Sequence, residues 1–382
     1  MRIGIDAHAA EADGSGNATY IRGIIRALLD AAPPHEIILY VTDRGHPFYR
    51  MLPDLGPRVI LRELRPRTPF LRIPVMLPLA ASRDALDVLH VQYIAPPFHR
   101  GRLVATIHDL GFLRVPSTFS RSFVKRSTVL VRRTAGRADR VITGSAFSRD
   151  DLIAEYGLDP EKISVIPYGI GPEFFAAAGA SEEEAARVLA RLGIEKPYIL
   201  SVGRLNPRKN LPVLARAFHR LKKSTGLPFR LVLAGPADYR TKETLEAVSG
   251  AAPDVRVAGF VPDRDLPILY REAEIFVYPS LFEGGGLPAL EAMAAGTPVI
   301  ASNTSSLPEM VGEAGILVDP ESVDDIARAL VRLATDPDLR RTLREKGRSR
   351  ARAMTWESAA RATLRVYEEA AAPETRPRKS SS

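Results

Sequence analysis

Pro279-Ser280-Leu281-Phe282-Glu283-Gly284-Gly285-Gly286-Leu287-Pro288-Ala289-Leu290-Glu291-Ala292-Met293-Ala294-Ala295-Gly296-Thr297-Pro298 follows the apolar run Glu274–Tyr278. A strand enters, three glycines turn the chain, and Pro288 falls in the first turn of a helix, where its missing N–H breaks no hydrogen bond. Strand, loop and helix in that order are the unit of a parallel sheet flanked by helices. The same alternation runs outward in both directions. Downstream, Pro298–Ala301 and Gly315–Val318 read as strands, followed by helices near 322–335 and 337–352 and a last one at Trp356–Glu369. Upstream, Tyr198–Val202, Arg230–Ala234 and Val255–Gly259 complete one doubly wound sheet.

Ile3–Asp6 opens a second unit of the same kind: a buried strand, a Gly14-Ser15-Gly16-Asn17 turn, then Ile21, Ile24, Ile25, Leu28 and Leu29 at helical spacing. Apolar runs at Glu36–Val41, Val88–Val91, Leu103–Ile107, Arg140–Thr143 and Ile163–Ile166 continue it. Between the units, Pro167 to about Ser181 reads as a linker before a helix at Glu182–Leu192, which sets the expected domains at 1–170 and 171–355. The basic tail, 371–382, is expected to be disordered. The 382 residues also exceed what one core usually serves. Two facing doubly wound domains create a cleft at the carboxyl ends of both sheets, where open α/β architectures bind ligands.

Composition narrows the chemistry. Hydrophobic residues make up 45% and charged residues 26%, ordinary globular usage, and the chain has no cysteine, so disulfides, thiolate metal sites and cysteine nucleophiles are excluded. The N-terminus lacks the apolar core and cleavage site of a signal peptide, and no stretch of eighteen apolar residues occurs. A cytoplasmic location is expected, with any membrane contact peripheral, at the inner face. The net charge of +8 is concentrated, since residues 42–150 hold nineteen Lys/Arg against eight Asp/Glu. Such a field attracts anions: nucleic acid, an anionic membrane surface or a phosphorylated substrate.

Three features carry chemistry. The glycines Gly284, Gly285 and Gly286 let backbone amides approach a ligand, and the helix N-terminus at Leu287 favours negative charge, so the loop suits a diphosphate or crowded sugar hydroxyls. Glu283 precedes the glycines and Glu291 lies one turn into the helix, so both carboxylates can face the cleft; the plainer alternative is a βα turn whose glycines ease packing. Ser201-Val202-Gly203-Arg204-Leu205-Asn206-Pro207-Arg208-Lys209-Asn210 places Arg204 and Lys209 in one strand-to-helix loop, a clamp for a diphosphate unless each only forms a surface ion pair. Leu103-Val104-Ala105-Thr106-Ile107-His108-Asp109 ends a strand with His108, able to donate to a phosphate or sugar oxygen or to serve only in packing.

Val-Gly-Arg-(x4)-Lys-Asn, followed by Pro-Ser-x-x-Glu-Gly-x-Gly-Leu-Pro-x-x-Glu-Ala-Met-Ala-x-Gly-Thr-Pro-Val, resembles the family 4 retaining glycosyltransferases of GT-B fold, with support from Thr106–Leu110 and Ser145–Leu152. The resemblance implies that Arg204 and Lys209 bind the donor diphosphate, Glu291 the nucleotide ribose, and Glu283 with the Gly284 and Gly285 amides the transferred hexose. By the same resemblance His108 sits beside the sugar and leaving group, Gly203 and Gly286 belong to the donor loops, and Gly16 approaches the diphosphate from the N-terminal side. Here Asn17 and Ala18 follow Gly16, and Gly285 stands where the family usually has an aromatic residue. The 356–370 helix resembles the one that crosses back to the first domain. The resemblance further implies transfer of a hexose from a nucleotide sugar, itself a substrate, to a glycan or lipid-linked acceptor, with no metal or cofactor. His108-Asp109-Leu110-Gly111-Phe112 resembles mannosyltransferases, which favours GDP-mannose over UDP-hexoses.

Two readings compete. A sugar-nucleotide epimerase shares the two-domain plan but needs no acceptor. A basic binding protein without catalysis would use the 121–140 stretch, with seven Lys/Arg, on a membrane or nucleic acid; sparse aromatics there rank nucleic acid lower. Ser148-Arg149-Asp150-Asp151 reads as a helix cap, and Glu309, after Leu307-Pro308, as a residue that orders a turn or a helix start.

Overall fold

The computed structural model describes residues 1–31, 34–52, 58–249 and 254–372. Among them, seven strands form the first sheet: β1 (Arg2–Asp6), β2 (Glu36–Val41), β3 (Val59–Glu63), β4 (Val88–Gln92), β5 (Arg102–Thr106), β6 (Arg140–Thr143) and β7 (Ile163–Val165), in the order β3-β2-β1-β4-β5-β6-β7. Six form the second: β8 (Tyr198–Val202), β9 (Arg230–Ala234), β10 (Val255–Gly259), β11 (Ile275–Tyr278), β12 (Val299–Ser302) and β13 (Gly315–Val318), in the order β10-β9-β8-β11-β12-β13. All pairings are parallel. The central strands read as continuous apolar runs because helices cover both faces: β11 and β12 are buried at every position.

Both sheets reverse their strand order once, between β1 and β4 and between β8 and β11. Loops leaving those strands diverge there and open a crevice. The two crevices face each other, so the architecture is the two-domain GT-B arrangement of doubly wound sheets.

The chain crosses between the domains twice, and the crossings lie side by side. Ile170 N donates to Met354 O at 3.0 Å, and Ile170 pairs with Thr355 in an isolated bridge. The Trp356–Ala371 helix then packs on the first domain: a Cβ on Gly23 would lie 2.2 Å from the Trp356 ring, and Tyr367 OH and His90 Nδ1 are 2.7 Å apart.

The structure departs from the sequence reading at several points. Val59–Glu63 adds an edge strand that the sequence reading lacks. The linker-like stretch holds a Pro172–Ala176 helix anchored by buried Phe174. The cap expected at Ser148 is one turn earlier: Ser145 Oγ accepts from Ser148 N to start the Ala146–Tyr156 helix. The last helix runs to Ala371; the rest of the expected tail, 373–382, lies outside the described residues.

Candidate active site

Gly203 leaves β8 at φ +151°, where a side chain would be strained, and a Cβ there would lie 2.8 Å from Lys209 Cε. The absent side chain is the space in which Lys209 lies. Its buried Nζ donates to Glu283 Oε1 at 2.7 Å and to the Tyr278 hydroxyl, 4.5 Å from the centre of that ring. Arg208 Nη1 lies 2.8 Å from the same Oε1. Burial alone pushes the Glu283 carboxyl up, but the charges of Arg208 and Lys209 outweigh it and hold the group well below its ordinary range. Burial pulls the Lys209 ammonium down against the attraction of Glu283. The main chain of Glu283 is pinned as well: its N donates to Ser305 Oγ at 2.9 Å and its carbonyl accepts from Ser306 Oγ at 2.8 Å. Arg204 lines the same cleft and reaches the other domain, its Nη2 donating to Asp13 O at 3.3 Å.

The Leu287–Ala295 helix is apolar on almost every side and correspondingly buried. Glu291 is the acid in it, 8% exposed, and its Oε2 accepts from Tyr270 OH at 2.9 Å. Burial raises this carboxyl to about 7; the Tyr270 hydrogen bond only partly opposes that. The helix begins at the cleft; Pro288 has no N–H and Ala289 N donates to Gly286 O, so Leu287 N is the first-turn amide left for a ligand, at the positive end of the helix dipole.

From the first domain, His108 follows β5. Its Nδ1 lies 2.6 Å from Tyr168 OH and its Nε2 2.8 Å from Gln92 Oε1, so both ring nitrogens are engaged. Burial drives the imidazole down to about 3, so it is neutral at physiological pH. The His108 carbonyl packs on the glycine loop: a Cβ on Gly284 would sit 2.3 Å from that oxygen. A Cβ on Gly285 would sit 2.2 Å from the Tyr168 ring, which therefore occupies the space beside the loop.

Gly16, His108, Gly203, Arg204, Lys209, Glu283, Gly284, Gly285, Gly286, Leu287 and Glu291 all line one cleft between the domains. The cleft gathers the cations Arg22, Arg204, Arg208 and Lys209, a helix N-terminus, two glutamates, glycine amides and a histidine, a set that can hold an anion beside a polar, hydroxyl-bearing group. Among the described residues no group of three or more His, Asp or Glu is placed to hold a metal ion.

With that geometry in view, comparison with known proteins decides the family. A model described as Glycosyltransferase Family 4 matches residues 14–174, and one described as Glycosyl transferases group 1 matches residues 185–350. The O-antigen chain mannosyltransferase B of Escherichia coli is 31% identical over 75% of this chain and 76% of its own length. The chain belongs to the family 4 glycosyltransferases. The fold agrees: a sucrose-phosphate synthase from Thermosynechococcus elongatus superposes with a TM-score of 0.75 at 23% identity, covering 97% of this chain and 98% of that one. Anabaena HepE in complex with UDP and glucose superposes at 0.73 and 18% identity, covering 97% and 100%.

Transfer of a glycosyl group is thus the activity, ahead of the epimerase and the non-catalytic readings. The candidate cleft and its surroundings also contain residues that sequence reasoning passed over. Arg208, inside the quoted Arg204–Asn210 stretch, shares Glu283 with Lys209; its place one residue before Lys209 was the available signal. Asp109, Gln92 and Tyr168 gather around His108 from three strand ends. Each follows or ends an apolar run in the same way as His108, which marks it as a carboxyl-edge residue. Asp109 is half-buried, and its loss of hydration raises its carboxyl despite the opposing charge of Arg208.

Proposed function

We propose that this glycosyltransferase moves a mannose, with retention of configuration, from GDP-mannose to a glycan or lipid-linked acceptor in polysaccharide or glycoconjugate synthesis. The observation that carries the reading is the convergence of Arg204, the Lys209–Glu283 ion pair and the Leu287 helix N-terminus on one cleft. As the anomeric C–O bond breaks, negative charge grows on the departing diphosphate, and these groups stabilise it there without metal or cofactor. The acceptor oxygen attacks from the face the leaving group vacates, and its proton passes to the departing phosphate oxygen. Glu291 receives the ribose hydroxyls, Glu283 and the Gly284 and Gly285 amides orient the hexose, Gly16 leaves room for the diphosphate, and Gly203 leaves room for the Lys209 side chain that meets it. His108 offers its ring edge and carbonyl to the sugar once the donor displaces its present partners. Relatedness to a mannosyltransferase favours mannose.

The basic Arg121–Arg137 helix, with Phe123 and Val129 exposed, supports peripheral contact with an anionic membrane at the cytoplasmic face; no helix among the described residues is long and apolar enough to cross one. Nucleic acid is not a partner in this reading.

The test is GDP release from GDP-mannose in the presence of a mannan-type acceptor. Lys209→Ala should lower the rate by about 100-fold or more, and Arg204→Lys by about 10-fold or more because the fork geometry is lost. Wild-type rates in both folded variants refute the donor assignment.

A further inference from the structure

A cavity larger than the donor cleft lies outside it. It is a groove of about 980 Å³ in the first domain, between the helical segment starting at Pro69 and the Arg121–Arg137 helix, with walls that include Phe70, Ile73, Ile94 and Leu130. That volume is at the upper end of small-ligand sites. Exposed apolar side chains lie on the same segments: Phe70, Leu71, Val75 and Leu79 on the stretch that starts at Pro69, and Val129 on the Arg121–Arg137 helix. Apolar side chains exposed around an apolar groove mark a contact for something equally apolar.

The groove is not neutral. Arg126 and Arg133 line it, and neither has a carboxylate partner among the described residues. At its base lies Arg72, 1% exposed, with Nη1 2.8 Å from Asp6 Oδ1. Its Nε and Nη2 have no hydrogen-bond partner. His8 lines the groove too, its Nδ1 2.8 Å from the same Asp6 oxygen. A buried guanidinium with two orphaned donors is costly, and an anion is the partner that satisfies it.

Two of the lining residues, Ile94 and His8, adjoin segments that reach the donor cleft. Ile94 follows Tyr93, whose ring packs edge-on against His108 with centroids 5.4 Å apart. His8 opens the short turn that leads to Gly14 and Gly16 on the donor cleft.

We propose that this groove is the acceptor site, and that the acceptor is carried on an apolar chain through a phosphate or diphosphate. The chain lies along Ile73, Ile94 and Leu130, the phosphate meets Arg72 with Arg126 and Arg133 around it, and the glycan end passes His8 and Tyr93 toward the donor hexose. This rests on the transferase reading above and names its acceptor class. The occupant is a single phospho-lipid molecule; general attraction to a bilayer would need the rim charges but neither the buried guanidinium nor the enclosed apolar walls.

The test is titration calorimetry of the full chain with farnesyl diphosphate. Wild type should bind it at least tenfold more tightly than either inorganic pyrophosphate or farnesol. The Arg126→Glu/Arg133→Glu double variant and Ile73→Asp, both at partly or fully exposed positions, should each weaken it at least tenfold; Arg72→Met should do the same. Lys209→Ala should leave it within twofold. Equal binding in the groove variants overturns the proposal, as does loss of binding in Lys209→Ala, which would locate the diphosphate in the donor pocket. So does a pattern in which the groove variants lose only sedimentation with phosphatidylglycerol vesicles, since the surface would then be a membrane contact. Donor hydrolysis by wild type is measured separately, so failure of the donor reading is seen there and not in this titration.

Discussion

Glu291 and Glu283 lie on one loop and helix, yet their surroundings pull them apart. Two cations keep Glu283 ionised, whereas Glu291 has only a hydroxyl donor in an apolar helix and reaches about 7. As a neutral acid Glu291 accepts poorly from a vicinal diol; as a carboxylate it can accept from both hydroxyls. Donor affinity should therefore rise as pH climbs from 6 to 8, and Glu291→Gln should flatten that rise while lowering affinity at pH 8 by about tenfold, a charged hydrogen bond having been lost. Isothermal titration with GDP at three pH values checks it. The stability effect has the opposite sign. The folded carboxyl binds its proton more tightly than the unfolded one, so this group's contribution is fully present below about 4.5 and is lost as pH rises toward 7. A melting temperature that falls over that window in wild type but less in Glu291→Gln is the expected companion result.

At the scale of elements, the site depends on how closely two loops approach. Gly284 meets the His108 carbonyl and the Asp109 Cβ, and its own carbonyl accepts from Ser145 Oγ at 2.9 Å, so the glycine loop is clamped between first-domain strand ends. Gly284→Ala should force those ends apart: transfer should fall by about 100-fold or more through misplaced reacting groups, while melting changes little because the domains can separate without disturbing either sheet. GDP release and a melting curve on one preparation read both. Much of this was legible in sequence. Buried parallel strands announce themselves as unbroken apolar runs, and a glycine loop before a Pro-initiated helix announces a phosphate-facing turn. What escaped did so for identifiable reasons. Val59–Glu63 is an edge strand with only three consecutive apolar residues and partial exposure, so it lacks the buried signature. The Pro172–Ala176 helix is too short for a period to show. The Tyr168 ring fills, from the first domain, the space beside Gly285; that contact depends on distances between residues 117 positions apart in sequence, which local pattern cannot carry.

At the scale of the whole molecule, the two domains are joined by chain crossings at one edge and by a small set of polar contacts across the cleft, so closure is an equilibrium that these contacts bias. Glu309, read from sequence as ordering a turn or a helix start, does more than start its own helix. Its carboxylate reaches across and accepts from Ala146 N at 2.9 Å and from Phe147 N at 3.2 Å, the first two amides of the Ala146–Tyr156 helix. An anion on those orphaned amides gains from both the hydrogen bonds and the helix dipole, about 1 kcal/mol in total. The same contact exists only when the domains are closed, because donor and acceptor belong to different sheets. Glu309→Ala should therefore raise the donor KM about five-fold, by lowering the closed fraction, and leave the melting temperature of each domain nearly unchanged. Glu309→Gln, which keeps an acceptor oxygen but loses the charge, should fall between. Small-angle scattering without ligand should show a larger radius of gyration in the alanine variant than in wild type, with saturating GDP-mannose restoring the compact form. An unchanged radius and KM would mean that closure is set by the hinge alone, where Ile170 and Met354 run together.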